Sequence, residues 1–138
     1  MFKLHPQLYV DTVEITRWPL CRVLLMNNRV YPWLVLVPQR VNVTEIHHLG
    51  AEDRARLVEE IAHAAQFLET MTKADKLNVA ALGNVVPQLH VHIIARFETD
   101  LAWPRPVWGV VPGEPYSEEE MAETLGYMKT HLTPPPEA

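Results

Sequence analysis

Apolar and polar positions along this chain alternate in short runs, then recur at helical spacing, then alternate again. Residues 8–16, Leu8-Tyr9-Val10-Asp11-Thr12-Val13-Glu14-Ile15-Thr16, mix β-branched residues with alternation at Val13, Glu14 and Ile15, and predict a first strand. Leu20 to Met26 holds the run Val23-Leu24-Leu25-Met26 and predicts a second, stopped by the Asn27-Asn28 turn signal. Trp33 to Val37 predicts a third, and the short link from Asn27 to Pro32 makes this pair an antiparallel hairpin. Leu57, Ile61, Ala64, Leu68 and Met71 then recur at four- and three-residue steps, with Arg54, Glu59, Glu60 and Glu69 elsewhere. That spacing predicts an amphipathic helix from Ala51 to Lys73, long enough to cover a sheet face. Lys76 to Leu82 predicts a fourth strand, small enough at Ala80 and Ala81 for another segment to pack closely. Near the end, Ser117-Glu118-Glu119-Glu120 is a capping box with carboxylates at the positive end of a helix dipole. Met121, Leu125, Met128 and Leu132 form the apolar stripe of that helix, and Pro134-Pro135-Pro136 ends it.

One further strand carries the chemistry. In Gln88-Leu89-His90-Val91-His92-Ile93-Ile94, alternation sends Gln88, His90 and His92 to one face and Leu89, Val91 and Ile93 to the other. A polar group out of water costs roughly 1–3 kcal/mol when it has no partner, so polarity on an apolar strand needs a reason. Two imidazoles and a carboxamide on one face form a candidate site. Neutral imidazole is a good nucleophile near pH 7, because its unperturbed pKa of about 6.5 leaves most of it unprotonated, and phosphorus is a natural target. Core histidines satisfied by backbone groups are a second reading of the pair. A zinc-binding His-x-His is a third; it needs another protein ligand, and the strand ends too early, at Phe97 to Asp100, to align Glu98. His5, His47, His48, His63 and His131 show no spacing that selects one of them as that ligand.

The motif resembles the signature of the histidine-triad (HIT) family, His-x-His-x-His followed by two apolar residues, with Gln88 in the place of the first histidine. Trp33-Leu34-Val35-Leu36-Val37-Pro38-Gln39-Arg40 is similar to the family's apolar strand ending in Pro and basic residues. Gly83-Asn84-Val85-Val86-Pro87 takes the place of its lead-in, and Arg96 with Trp103-Pro104 resembles its closing tail. The likeness spans most of residues 8 to 108 in order. It implies an α+β, HIT-like fold: a mainly antiparallel sheet of about five strands, one long helix and a C-terminal helix. A HIT-like domain over 1–112 and a helical extension of the same domain over 113–138 are expected.

The resemblance also implies a reaction, in which the middle histidine attacks the α-phosphorus of a nucleotide and water hydrolyses the nucleotidyl-histidine formed. Here His90 is the implied nucleophile, His92 a hydrogen-bonding group for the phosphate or leaving-group region, and Gln88 an orienting group that cannot take on a proton near neutral pH. Asn27 falls in the implied ribose-binding region, Asn84 replaces a Gln near the phosphate, and Trp103 closes the pocket. The implied substrate is a small nucleotide such as a dinucleoside polyphosphate or a nucleoside phosphoramidate, with no metal or other cofactor. The implied assembly is a homodimer whose tail approaches the partner's site. A nucleotide-binding protein with little turnover, through Gln88 and Val85, is the alternative, and a zinc-binding protein the lesser one.

Composition narrows the partners. Twelve Lys and Arg against 17 Asp and Glu, a net charge of −5, argue against broad binding to nucleic-acid backbones. A chain of 138 residues with 48% hydrophobic residues suits one domain with a genuine core. Cys21 is the single cysteine, so no intrachain disulfide framework exists and a reducing compartment fits. Met1-Phe2-Lys3-Leu4-His5-Pro6 lacks the apolar run of a secretory signal, and no run approaches bilayer length, so a cytoplasmic protein free of membranes is expected.

Overall fold

A computed structural model describes residues 1–137. Its centre is a five-stranded antiparallel sheet in the order β1-β2-β3-β5-β4. The strands are β1 (Thr12–Arg17), β2 (Cys21–Met26), β3 (Trp33–Pro38), β4 (Lys76–Ala80) and β5 (Val91–Arg96), accompanied by helices α1 (Pro6–Asp11), α2 (Ala51–Thr72) and α3 (Glu118–His131). This is the expected α+β, HIT-like architecture.

The strand expected over residues 8–16 is different. Its first part is the short helix α1, and β1 begins only at Thr12. Pro6 occupies the first turn, where a missing N–H costs nothing, and the His5 Nδ1 accepts from the Gln7 N–H at 3.0 Å. Tyr9 and Val10 are left exposed, so the β-branched signal there had no sheet to serve. The fourth strand stops at Ala80 rather than Leu82.

Alternation divides the sheet into two faces. Val23 and Leu25 of β2, Leu34 and Leu36 of β3, and Val91, Ile93 and Ala95 of β5 share one core with α2 and α3. Leu57, Ala64 and Leu68 of α2 are fully buried there, and Met128 and Leu132 bring α3 into the same core. The C-terminal helix therefore packs on its own sheet. Glu60, placed by periodicity on the polar side of α2, is instead 1% exposed. Its two carboxylate oxygens accept from the Leu20 and Cys21 N–H groups at 3.0 and 2.9 Å, closing the entry to β2. Burial beside this carboxylate pushes the Cys21 thiol far up, so the cysteine stays an inert, protonated core group.

Leu24, Trp33, Val35, Val37 and Ile94 point to the other face, where Leu8, Tyr31, Ala102 and Val107 cover them. Among the described residues, no regular helix longer than α1 lies there. Among the described residues, no helix is long and apolar enough to cross a membrane.

Candidate active site

Strand β5 lies between β3 and β4 and is buried along its whole length. It starts at Val91, so Gln88, Leu89 and His90 precede the regular strand. The entry is pinned by a bond from the Leu89 N–H to the Val43 carbonyl at 3.0 Å. His92 pairs in register with Val35, and His90 and His92 are 7% and 5% exposed.

Each ring has one assigned partner on its Nδ1. That of His90 lies 2.7 Å from the Gln88 carbonyl oxygen, which can only accept. His90 therefore carries its hydrogen on Nδ1 and, when neutral, a free lone pair on Nε2. His92 is the reverse. Its Nδ1 lies 3.0 Å from the Trp33 indole nitrogen, which can only donate, so neutral His92 carries its hydrogen on Nε2. The two rings meet edge to face with centroids 4.8 Å apart. Burial, with His90 alongside, pushes the His92 pKa down to about 4, which keeps this ring neutral at pH 7. Side by side stand a ring whose free nitrogen is an acceptor and a ring with a hydrogen-bond donor.

Aromatic walls complete the enclosure of His92. Trp33 lies 5.6 Å and Trp108 5.1 Å from it, ring centre to ring centre, and the two indoles meet edge to face at 5.7 Å. Beside His90 a cleft of about 210 Å³ opens between the Thr44–His47 segment and the Ala81–Gly83 and Pro87–His90 segments. Gly83 adopts a φ of +81° in this wall, a conformation glycine tolerates without strain.

Of the expected site residues, His90 and His92 come together as described. Gln88 borders the cleft, but its side chain is committed elsewhere: Nε2 donates to the Lys3 carbonyl at 2.8 Å and Oε1 accepts from the His5 N–H at 2.9 Å. Asn84 and its neighbour Val85 are exposed, with Gly83 and Pro87 forming the cleft wall around them. Asn27 sits in a separate shallow depression with Asp11, Asn28 and Gly113, and its Oδ1 accepts from the Tyr116 N–H at 3.0 Å. Trp103 packs over the Arg96 guanidinium at 5.7 Å.

Arg96 itself organises the tail. Buried to 1% exposure, it forks onto Asp100 at 2.8 and 3.0 Å and donates to the Asn78 Oδ1 at 2.8 Å. Asp100 also accepts from the N–H groups of Phe97, Ala102 and Trp103, and the guanidinium with these amides holds its pKa down at about 2. The sequence pattern marks neither Trp33 nor Trp108 as part of the site. One signal was present: Trp33 is the one aromatic residue in an otherwise aliphatic run. Among the described residues, no group of three or more His, Cys, Asp or Glu side chains is placed to hold a metal ion.

The chain has clear relatives. The model of the family described as HIT domain matches residues 8–99. A histidine triad protein from Bradyrhizobium japonicum is 45% identical, with a TM-score of 0.92 over 96% of this chain and 98% of that one. One from Marinobacter aquaeolei is 44% identical, with a TM-score of 0.93 over 96% of each chain. Another, from Sinorhizobium meliloti, is 44% identical, with a TM-score of 0.91 over 94% of this chain and 96% of that one. No curated protein gives a significant match.

Proposed function

From the premise that this chain belongs to the HIT domain family, we propose that it hydrolyses or transfers a nucleotidyl group from a small nucleotide through a covalent intermediate on His90. The supporting observation is the opposite hydrogen placement on the two rings. With its Nδ1–H held by the Gln88 carbonyl, His90 presents the Nε2 lone pair to phosphorus. The P–N bond forms as the bond to the leaving group breaks, and water then cleaves the P–N bond to release the nucleoside monophosphate. His92, with its hydrogen on Nε2, donates to a phosphoryl oxygen or to the leaving group. The cleft beside His90 receives the substrate. A dinucleoside polyphosphate or a nucleoside phosphoramidate has the bond this chemistry requires. The working unit in this reading is a cytoplasmic homodimer, and the strand β4, at the edge of the sheet with Val79 half exposed, supports pairing of two copies.

Gln88 favours a second reading, binding without turnover. In the place where the family motif has its first histidine, this side chain cannot shuttle a proton, and both ends of its amide already hold the N-terminal backbone.

The two readings separate in one assay. AMP release from adenosine phosphoramidate and from a dinucleoside polyphosphate is followed with chelator present, for wild type and His90→Ala. Hydrolysis predicts release by the wild type that falls by about 10³-fold or more in the variant. Nucleotide binding with no release from either protein discards the hydrolase reading for these substrates.

A further inference from the structure

Trp33 opens β3 in register with Ile94, and His92 sits across from Val35, so the two side chains are diagonal neighbours on one face of the sheet. Both are nearly fully buried, at 6% and 5% exposure. An indole N–H has no capacity to accept, so the 3.0 Å approach to Nδ1 admits only one placement of the imidazole hydrogen. Moving that hydrogen to Nδ1 sets two buried donors head to head, and an imidazolium does the same while adding charge. Trp108 and His90 pack edgewise on the same ring.

We infer that Trp33 is a positioning residue for the reaction proposed above, its indole N–H holding His92 as a neutral ring whose hydrogen lies on Nε2. The inference rests on that functional reading. Its physical content is a tautomer. Without the indole, His92 divides between two tautomers, and the Nδ1–H form turns a lone pair rather than a donor toward a negatively charged phosphoryl oxygen. Trp33 touches His92 and acts through it.

The test begins with nitrogen NMR of the imidazole rings in the whole protein at pH 7. Expected in the wild type are an unprotonated Nδ1 and a protonated Nε2 for His92. Trp33→Phe keeps an aromatic ring in place and removes the N–H. In this variant the His92 signals should move to a tautomer average, while kcat for AMP release falls about tenfold to a hundredfold with KM little changed. A wild-type His92 carrying its hydrogen on Nδ1 overturns the inference outright, and needs no variant to fold. So does a folded Trp33→Phe variant with wild-type ring signals and kcat. Absence of AMP release from the wild type refutes the hydrolysis reading separately, because the ring spectra report the tautomer whether or not turnover occurs.

Discussion

The two faces of the sheet are buried by opposite means. On one, α2 and α3 lay aliphatic side chains over Val23, Leu34, Ile93 and Ala95, and the Glu60 carboxylate interrupts the apolar contact. On the other, Trp33, His92 and Arg96 are buried but held by directed hydrogen bonds, Trp33 to His92 and Arg96 to the Asp100 side chain, with α1 and irregular chain as the cover. Apolar burial tolerates small shifts of its partners, because dispersion and the hydrophobic effect are not directional. A hydrogen-bonded face fixes ring orientation and hydrogen position, which chemistry requires, and is punished heavily when one partner is lost.

Removal of Arg96 should break the contrast most severely. Arg96→Ala leaves the Asp100 carboxylate buried without its counter-ion, and a cost of about 3–5 kcal/mol is expected from the urea unfolding midpoint. An exposed ion pair such as Arg17–Glu14 is worth far less, so a small effect at Arg96 would refute the directed-bond account of this face.

Acid should come next. The pKa of His92 lies at about 4 in the folded chain against 6.5 ordinarily, so the unfolded chain binds the proton more readily. Stability is fully present above about pH 6.5 and declines as pH falls toward 4, by about 3 kcal/mol for this ring. Asp100 adds nothing in that window, because its contribution is lost only between about pH 4 and 2. Unfolding free energies measured from pH 7 to 4 should slope less in His92→Gln than in wild type. Equal slopes would sink the assignment.

Glu60→Gln should have the smallest of the three effects, and it sharpens the comparison from the helix side. One carboxylate oxygen becomes an amide that faces an N–H donor, at a cost of about 1.5–3 kcal/mol in the same unfolding assay. The His90 and His92 ring signals should stay in place, because Glu60 serves only the face covered by α2.

Much of this was readable along the chain. The five strands, the two long helices and the adjacency of His90 and His92 follow from local rules: period-two alternation, the 57–61–64–68–71 spacing and the Ser117 capping box. Family likeness carried the fold further, from motif order alone. Local rules failed where a distant segment supplied the decisive partner. Glu60 left the polar side of α2 because Leu20 and Cys21, 40 and 39 residues away, presented unsatisfied amides, whereas residues 8–11 became helical through their own neighbours, the Pro6 ring and the His5 side chain, which start a turn there. Gln88 hydrogen-bonds the backbone of Lys3 and His5, and Asn27 that of Tyr116, partners that no local pattern names.

What the sequence by itself determined was therefore the set of elements and the identity of the two rings, since period and residue type are properties of neighbours in the chain. Only the tertiary structure decided which nitrogen of each ring carries the hydrogen. Gln88 sets it for His90 through its own backbone, but for His92 the donor is Trp33, 59 residues earlier, brought within 3.0 Å by the register of β3 on β5. Hydrogen placement depends on a contact of a few ångströms, and no pattern of residue types along the chain specifies such a distance.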